Sequence, residues 1–173
     1  QSIVARNVNP LHAAVVSVSR IHGGDATNVV PGNVALAGTI RTFLPAVREL
    51  TQSRLREVTH GIASAMGCES TLTFTEGVSP VVNDSKASRQ VRDIAGMLTG
   101  VTKVANDERT TASEDFGEFM ANVPGCFFFV GSGNPEGGIS YPHHHPRFDL
   151  DERALGIGAE LMTGVAAGYV LRD

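Results

Sequence analysis

The sequence predicts a fold of the α/β class that is built from two parts. Two segments in which apolar and polar residues alternate, at positions 14–21 and 34–43, predict strands, and a long helical pattern begins at Pro45. Beyond Gly77 the pattern changes to helices that flank a continuous apolar run at positions 126–130. The order of elements before Gly77 indicates an antiparallel sheet with helices on one face, the α+β arrangement. The order after Gly77 indicates part of an α/β layer fold.

Composition and charge exclude several classes of protein. The chain has 173 residues, of which 42% are hydrophobic and 18% charged, and this is typical of a globular protein. Its net charge of -4 comes from interspersed signs without a basic stripe, so we expect no nucleic-acid partner. The sequence contains no apolar run long enough to span a membrane, so we expect no membrane partner. Cys68 and Cys126 form no C-x-x-C motif, which favours structural thiols and a reducing, cytoplasmic location.

The first part is predicted to run strand, strand, helix, strand. The strands at 14–21 and 34–43 are joined by a loop, HGGDATNVVPGN, whose glycines and proline indicate several special backbone positions. A helix with an apolar stripe is predicted from Pro45 to Gly67. Positions 70–76, STLTFTE, alternate in the way that a half-buried third strand does.

The second part is predicted to begin with a helix that Ser85 caps and that ends near Gly100. A short strand at 101–105 and a short helix at 115–121 follow. The apolar run at 126–130, CFFFV, is predicted to be a strand buried on both faces.

The last helix is predicted to begin near Asp151. Asp149 and Glu152 have the spacing of a capping box. The predicted buried stripe of this helix consists of Leu155, Ala159, Met162 and Ala166.

Three consecutive histidines lie in the Gly- and Pro-rich loop after the apolar run. A neutral imidazole is a good ligand for a divalent ion. In an extended segment His143 and His145 point one way and His144 the other. One metal ligand from this triplet is therefore expected rather than three, and a solvated polar loop is the alternative.

Three further features, namely Asn28, Arg41 and the SEDF motif, have a structural and a functional interpretation. Asn28 is typical of a turn in a Gly-rich loop, and Arg41 is typical of a surface charge on a strand. Arginine is also the residue that most often binds a carboxylate, because its planar guanidinium can donate two parallel hydrogen bonds. In the SEDF sequence, Glu114 and Asp115 suit a helix start, and a functional role requires this loop to face the same cleft as His144.

Taken together and in order, the motifs are more specific than each is alone. GGDATNVVPG with GTIRTF, then SEDF, then HHHPRFDLDE resemble the zinc-dependent amidohydrolase family of hippurate hydrolase and the indoleacetyl-amino-acid hydrolases. Aminoacylase and succinyl-diaminopimelate desuccinylase are more distant relatives. The resemblance covers essentially all of this chain, but it does not cover the full length of the family.

The resemblance implies a two-domain plan. Family members have a catalytic α/β domain that holds a pair of divalent ions, and a smaller, ferredoxin-like lid domain that makes a homodimer contact. Residues 1–77 resemble most of the lid domain, and residues 78–173 resemble the carboxyl-terminal part of the catalytic domain.

The resemblance also implies roles for individual residues. The last metal ligand of the family is the histidine of an H-x-P-x-F motif, which is His144 in this sequence. Asn28 and Arg41 match residues that help bind substrate, with Arg41 at the substrate carboxylate. Ser113 and Glu114 match a loop near the active site.

One departure from the family limits these expectations. The family's C-G-H-D motif and its Glu-Glu pair, which supplies the general base, do not occur in this sequence. We therefore expect a carboxyl-terminal piece of an amidohydrolase for N-acyl amino acids such as hippurate, with no catalytic residue of its own. The parent would use zinc or manganese, and the piece alone would bind no metal tightly and be inactive. The alternative is a non-catalytic, lid-like dimerisation or binding module.

Overall fold

A computed structural model of the chain describes residues 1–171, which fold into two compact units. Unit 1 comprises Gln1–Pro80 together with Thr110–Ser113, and unit 2 comprises Val81–Arg109 and the chain from Glu114 onward. The assignment of residues 1–77 to a lid domain and of the rest to a catalytic domain stays a prediction.

Unit 1 contains two helices and a two-stranded antiparallel sheet. Its elements are, in chain order, α1 (Ser2–Asn7), β1 (Ala14–His22), β2 (Ala35–Thr42) and α2 (Pro45–Ala65). The two predicted strands and the predicted long helix are thereby confirmed to within two residues at each end. The buried side chains of this unit belong to Ile3, Val8, Val47 and Thr51.

The two strands form a hairpin with one irregularity. The register runs from Ala14 opposite Thr42 to His22 opposite Ala35, and it shifts between Val18 and Arg20. Close to this shift a Cβ at Gly38 would lie 2.0 Å from the Ser17 carbonyl oxygen, so only glycine fits at position 38.

The predicted third strand at residues 70–76 does not form, and these residues have no regular secondary structure. Side chains hold the segment instead, since the Arg56 guanidinium lies over the Phe74 ring, 4.5 Å from its centroid. A strand requires a hydrogen-bonded neighbour. Within residues 1–171 the sheet consists of β1 and β2, and neither pairs with this segment.

The regular elements of unit 2 are helices in the part of the chain that the structure describes. Its elements are α3 (Ser85–Ala95), α4 (Phe116–Met120), a short 3₁₀ helix (Pro135–Gly137) and α5 (Arg153–Val170). Its core consists of Val91, Ala95 and Leu161, against which Ile94, Leu98, Cys126, Phe128 and Val165 pack. The predicted helices near positions 85, 115 and 151 are confirmed, but the first ends at Ala95 and not near Gly100.

The predicted cap of α3 is wrong by one residue. Asp84, not Ser85, is the N-cap, and its carboxylate accepts hydrogen bonds from the amides of Lys86 at 3.0 Å and Ala87 at 2.8 Å. A carboxylate is the stronger acceptor for these amides because it also complements the positive end of the helix.

The strands predicted at 101–105 and 126–130 do not form either. Residues 126–130 are not buried on both faces, since the Phe129 side chain is 65% exposed. The Asn83 amide bridges the backbone of Phe127, with both bonds 2.8 Å long. A strand requires a hydrogen-bonded neighbouring strand, and among residues 1–171 none pairs with this run.

The predicted buried stripe of α5 lies on the wrong face. Leu155 is 63% exposed and Met162 is 59% exposed, whereas Leu161 is 5% exposed and packs against α3. Apolar residues surround most of this helix, so periodicity alone does not specify which side faces the neighbouring helix. The glycines on the same side as Leu161 determine which side of α5 faces α3, because Gly164 lets Ile94 approach closely.

The predicted capping box of α5 does not form. Glu152 is the N-cap but its side chain makes no capping bond, and the Asp149 carboxylate accepts a bond from the next amide, that of Leu150, at 2.8 Å. Within residues 1–171, every helix is too short or too polar to span a lipid bilayer.

Candidate functional site

The histidine triplet lies in a loop with two consecutive turns. The His145 amide donates to the Pro142 carbonyl at 3.2 Å, and the Phe148 amide donates to the His145 carbonyl at 2.9 Å. His144, the third residue of the first turn, has a φ of 67°, in the left-handed region. Histidine enters this region more readily than most residues, but the conformation is uncommon. The extended triplet assumed from the sequence is therefore wrong, because a turn separates the side chains instead.

His145 is fixed by an aromatic stack. Its ring is nearly parallel to that of Tyr141, with centroids 4.2 Å apart. Its Nδ1 accepts a hydrogen bond from the Arg147 amide at 3.0 Å. The Arg147 guanidinium in turn lies over the Tyr141 ring, 4.3 Å from the centroid. One nitrogen of His145 is thus occupied, and its ring is held in place.

The other two histidines differ in their contacts. The His143 ring meets the Phe148 ring edge-on, with centroids 4.9 Å apart. The His144 side chain is exposed. Within residues 1–171 it makes no hydrogen bond, ion pair or ring contact. Among residues 1–171, His144 is therefore the imidazole of the three that has neither a hydrogen bond nor a ring contact, while His143 has a ring contact and His145 has both.

A divalent ion needs more ligands than this loop supplies. Among residues 1–171, no three His, Cys, Asp or Glu side chains lie close enough together to hold a metal ion. A zinc site takes three or four protein ligands. His144 fits the role of one imidazole ligand, and the described part of the chain does not form a complete metal centre by itself.

Asp151, at the far end of the histidine loop, is an ionised anchor. The Arg153 Nε lies 2.9 and 3.0 Å from its two carboxylate oxygens, and the Asn134 Nδ2 lies 2.8 Å from Oδ2. Hydrogen bonds from the side chain and backbone of Arg153 hold the pKa of Asp151 well below its usual range; the Asn134 amide acts in the same direction, and partial burial opposes them. The same contacts raise the pKa of Arg153.

Asn28 lies in the Gly-rich loop that joins β1 and β2 in unit 1. The loop is exposed, and Gly24 has a positive φ of 84°. The loop borders an open depression of ≈ 390 Å³ whose lining includes His22 and Asp25. Among the described residues that line it, Asn28 is absent, and its predicted role in substrate binding stays a prediction.

Arg41 is engaged within unit 1. It extends from β2, and its Nη1 donates to the Thr111 carbonyl at 2.6 Å. Thr111 belongs to the segment Thr110–Ser113, which the contacts assign to the same unit. The structure therefore brings Arg41 beside the segment that leads into the Ser-Glu-Asp-Phe motif. A guanidinium has five N–H donors, so one bond to a carbonyl leaves donors for a second acceptor.

Ser113 and Glu114 lie in different units. Ser113 is exposed at the end of the short segment that belongs to unit 1. In unit 2 the Glu114 Oε1 accepts a hydrogen bond from the Phe116 amide at 3.1 Å, where α4 begins. This contact is the structural role that an acid takes at a helix start. Substrate binding by these two residues stays a prediction.

Sequence reasoning missed three residues that shape the histidine loop: Asn134, Tyr141 and Asp151. The Asn-Pro-Glu-Gly-Gly sequence is a turn signal that could have drawn attention to Asn134. Its contact with Asp151 joins positions 17 residues apart, and no local periodicity predicts such a pair.

Comparisons with known proteins agree on one family. The sequence profile of peptidase family M20/M25/M40 matches residues 6–168. The chain is 36% identical over 155 residues to the N-acetyl-L-cysteine deacetylase of Bacillus subtilis, covering 90% of this chain and 36% of that protein. It is 35% identical over 165 residues to the N-acetyldiaminopimelate deacetylase of Enterococcus faecalis, covering 95% of this chain and 42% of that protein.

A solved structure gives the same result. The Bacillus subtilis YXEP protein, a dinuclear metal-binding peptidase from the M20 family, superposes with a TM-score of 0.75 at 27% identity, over 97% of this chain and 44% of that one. The chain spans less than half the length of the two curated relatives, 36% of the N-acetyl-L-cysteine deacetylase and 42% of the N-acetyldiaminopimelate deacetylase. The family resemblance seen in the three motifs is confirmed, and the chain belongs to the peptidase family M20/M25/M40.

Proposed function

We propose that this chain is the carboxyl-terminal segment of a metal-dependent amidohydrolase that hydrolyses the amide bond of N-acyl amino acids. The observation that carries the proposal is the His144 imidazole, which a left-handed turn presents with neither nitrogen engaged by residues 1–171. Relatives named for N-acetylcysteine and N-acetyldiaminopimelate support this substrate class. Hippurate-like substrates belong to the same class.

His144 would be one ligand of a divalent metal centre, with zinc or manganese as the ion. When bound, such ions polarise the scissile carbonyl as Lewis acids. The part that this chain supplies is a neutral imidazole, oriented by the turn. Because the described residues gather no further ligands, we expect the chain alone to be inactive and to hold no metal tightly. We assign no catalytic residue to it.

Arg41 would bind the carboxylate of the substrate, with Asn28 as a second polar contact. A guanidinium binds a carboxylate with two parallel hydrogen bonds, and the bond from Arg41 to Thr111 uses one donor. Ser113 and Glu114 complete the proposed substrate contacts. Their support is the resemblance of the motif together with the position of Thr111, two residues before Ser113.

Unit 1 would act as a ferredoxin-like lid domain and form a homodimer. The alternative function of the chain is non-catalytic: it would serve only as such a dimerisation or binding module. The hairpin exposes apolar side chains: Val18 is 57%, Ile21 is 70% and Leu36 is 60% exposed. Ile21 and Leu36 are opposite each other in the register, so they form a continuous apolar surface. Such a surface favours association with another protein surface.

The proposed location is the cytoplasm. Cys68 and Cys126 are both free thiols. Free cysteines are typical of reducing compartments, because oxidising ones convert paired thiols to disulfides. A fluorescent fusion expressed in the source cell would place the protein directly.

The test uses the full-length amidohydrolase that the proposal implies, with N-acetylcysteine as substrate. We expect His144→Ala to lower kcat/KM by more than about 100-fold, because loss of a ligand exceeds the cost of losing an outer contact. His60→Ala is the matched control, since this exposed histidine of α2 lies outside the histidine loop, and the variant should retain most of the activity. Equal activity of the two variants would refute the assignment of His144.

The carboxylate assignment has a separate test. Arg41→Ala should raise KM for the N-acyl amino acid, and an N-acyl amide lacking the carboxylate should be unaffected by the change. Arg41→Lys should recover part of the loss, since lysine keeps the charge and loses the fork. Unchanged KM and kcat/KM in Arg41→Ala would show that the carboxylate binds elsewhere.

A further inference from the structure

The histidine loop begins and ends at the same place in unit 2. Before the loop, Asn134 and Ile139 exchange backbone hydrogen bonds of 2.8 Å in both directions. After the loop, the Asp151 carboxylate accepts the Asn134 side-chain amide at 2.8 Å, and the Asp151 amide donates to the Ser132 carbonyl at 2.8 Å. Residues 140–150 are therefore closed at their base by direct contacts.

Both residues at this base are held on several sides. The Asn134 Oδ1 accepts the Gly137 amide at 3.0 Å, while its Nδ2 donates to Asp151. Asp151 is gripped by the Arg153 side chain, and its own side chain is 15% exposed. An amide and a carboxylate with all of these partners have one orientation each. We call the Asn134–Asp151 pair the loop clamp.

The clamp matters because the turn at His144 is not favoured by its own residue. A non-glycine residue in the left-handed region persists when the surrounding structure over-determines it. Inside the loop the surroundings are the His145–Tyr141 stack and the His143–Phe148 contact. The residues that make those contacts all lie between Asn134 and Asp151, and the clamp joins the chain on either side of them.

We infer that Asn134 and Asp151 are positioning residues, which make His144 the one metal-binding imidazole of the triplet by keeping His143 and His145 in their ring contacts. This inference rests on the proposed role of His144. With the clamp released, the loop gains backbone freedom. His143 and His145 then leave their partners and compete with His144 for an ion.

The experiment is a titration of this chain with Zn²⁺, followed by the imidazole C–H signals of the individual histidines in nuclear magnetic resonance spectra. In the wild type we expect the His144 signal to respond at a Zn²⁺ concentration about ten-fold lower than those of His143 and His145. In Asn134→Ala and Asp151→Ala this ratio should fall towards one. Tryptic cleavage after Arg147, inside the loop, should also become faster.

Two further variants separate positioning from general stability. Asp151→Asn keeps an oxygen that accepts the Asn134 amide, so it should restore much of the preference for His144. Tyr141→Leu removes the stack on His145 without touching the clamp, and it should lower the preference in the same way. Asp149→Ala is the matched control, because its carboxylate contacts the neighbouring Leu150 amide, and it should change nothing.

The outcomes separate the metal role of His144 from the positioning role of the clamp. If the wild type shows no preferential response of His144, the proposed metal role of that residue fails, and the inference fails with it. If His144 responds first in the wild type and equally so in Asn134→Ala, Asp151→Ala and Tyr141→Leu, the metal role stands and the clamp is refuted. A loss of preference with far-ultraviolet circular dichroism unchanged supports the inference.

Discussion

Gly164 lies where α5 packs against α3, and its replacement by alanine tests that contact. A Cβ at position 164 would lie 2.9 Å from Cγ2 of Ile94, whereas carbon atoms in contact prefer about 3.5–4.0 Å. Overpacking of this kind costs about 1–3 kcal/mol. The helix propensity of alanine returns about 1 kcal/mol. We therefore expect the free energy of unfolding of Gly164→Ala to fall by up to about 2 kcal/mol.

A second glycine of α5 provides the control. Among the described residues, nothing beyond its own helix lies within 4 Å of a Cβ built at Gly156. Gly156→Ala should therefore show the propensity gain alone, about 1 kcal/mol. Urea unfolding followed by circular dichroism would measure both variants, and the gap between them should be about 1–3 kcal/mol.

A double-mutant cycle identifies the atom responsible. Ile94→Leu removes Cγ2, so the cost of Gly164→Ala should be smaller by about 1 kcal/mol in that background. If the two glycine variants gain stability equally, or if the coupling with Ile94 is zero, the close packing of α3 on α5 is not what the structure indicates.

Three other predictions concern stability. Gly38→Ala should destabilise the hairpin by about 3 kcal/mol or more, because its Cβ would lie 2.0 Å from the Ser17 carbonyl oxygen; Gly32→Ala, with open space around it, is the control in the same urea assay. Asp84→Ala should lower the free energy of unfolding by about 1 kcal/mol through loss of the N-cap, while Ser85→Ala should lower it little. A larger loss in Ser85→Ala than in Asp84→Ala would show that Ser85 is the cap, as the sequence predicted. The lowered pKa of Asp151 means that its stabilisation is complete above about pH 4, the usual aspartate range, and is lost as the pH falls towards the folded-state pKa. Asp151→Asn should therefore lose less stability than the wild type between about pH 5 and about pH 2, and thermal melts that fall in parallel would contradict the ionised anchor.

Local patterns were sufficient for the hairpin and for the long helix that follows it. The alternation in β1 and β2 and the proline at the start of α2 each act within a few residues, so the sequence specified these elements nearly to their ends. The same holds for the three motifs, whose order along the chain was enough to predict the family.

The burial of the later segments could not be predicted from the sequence. Residues 70–76 and 126–130 have the composition of strands, but a strand exists only with a hydrogen-bonded neighbour, and that neighbour is not encoded in the segment. The stripe chosen for α5 failed because a helix with apolar residues on most sides has no face that its own sequence prefers. Contact with Ile94 selected the face that carries Leu161 and Gly164.

The histidine loop shows the same division at the candidate site. From the sequence alone we expected one metal ligand among the three histidines, and the motif indicated His144; that role stays a prediction. Only the tertiary structure decided how the three imidazoles are held, through a left-handed turn, ring contacts for His143 and His145, and the contact of Asn134 with Asp151. The physical reason is that these contacts depend on where the chain returns in space, and a periodic pattern along the chain carries no information about that.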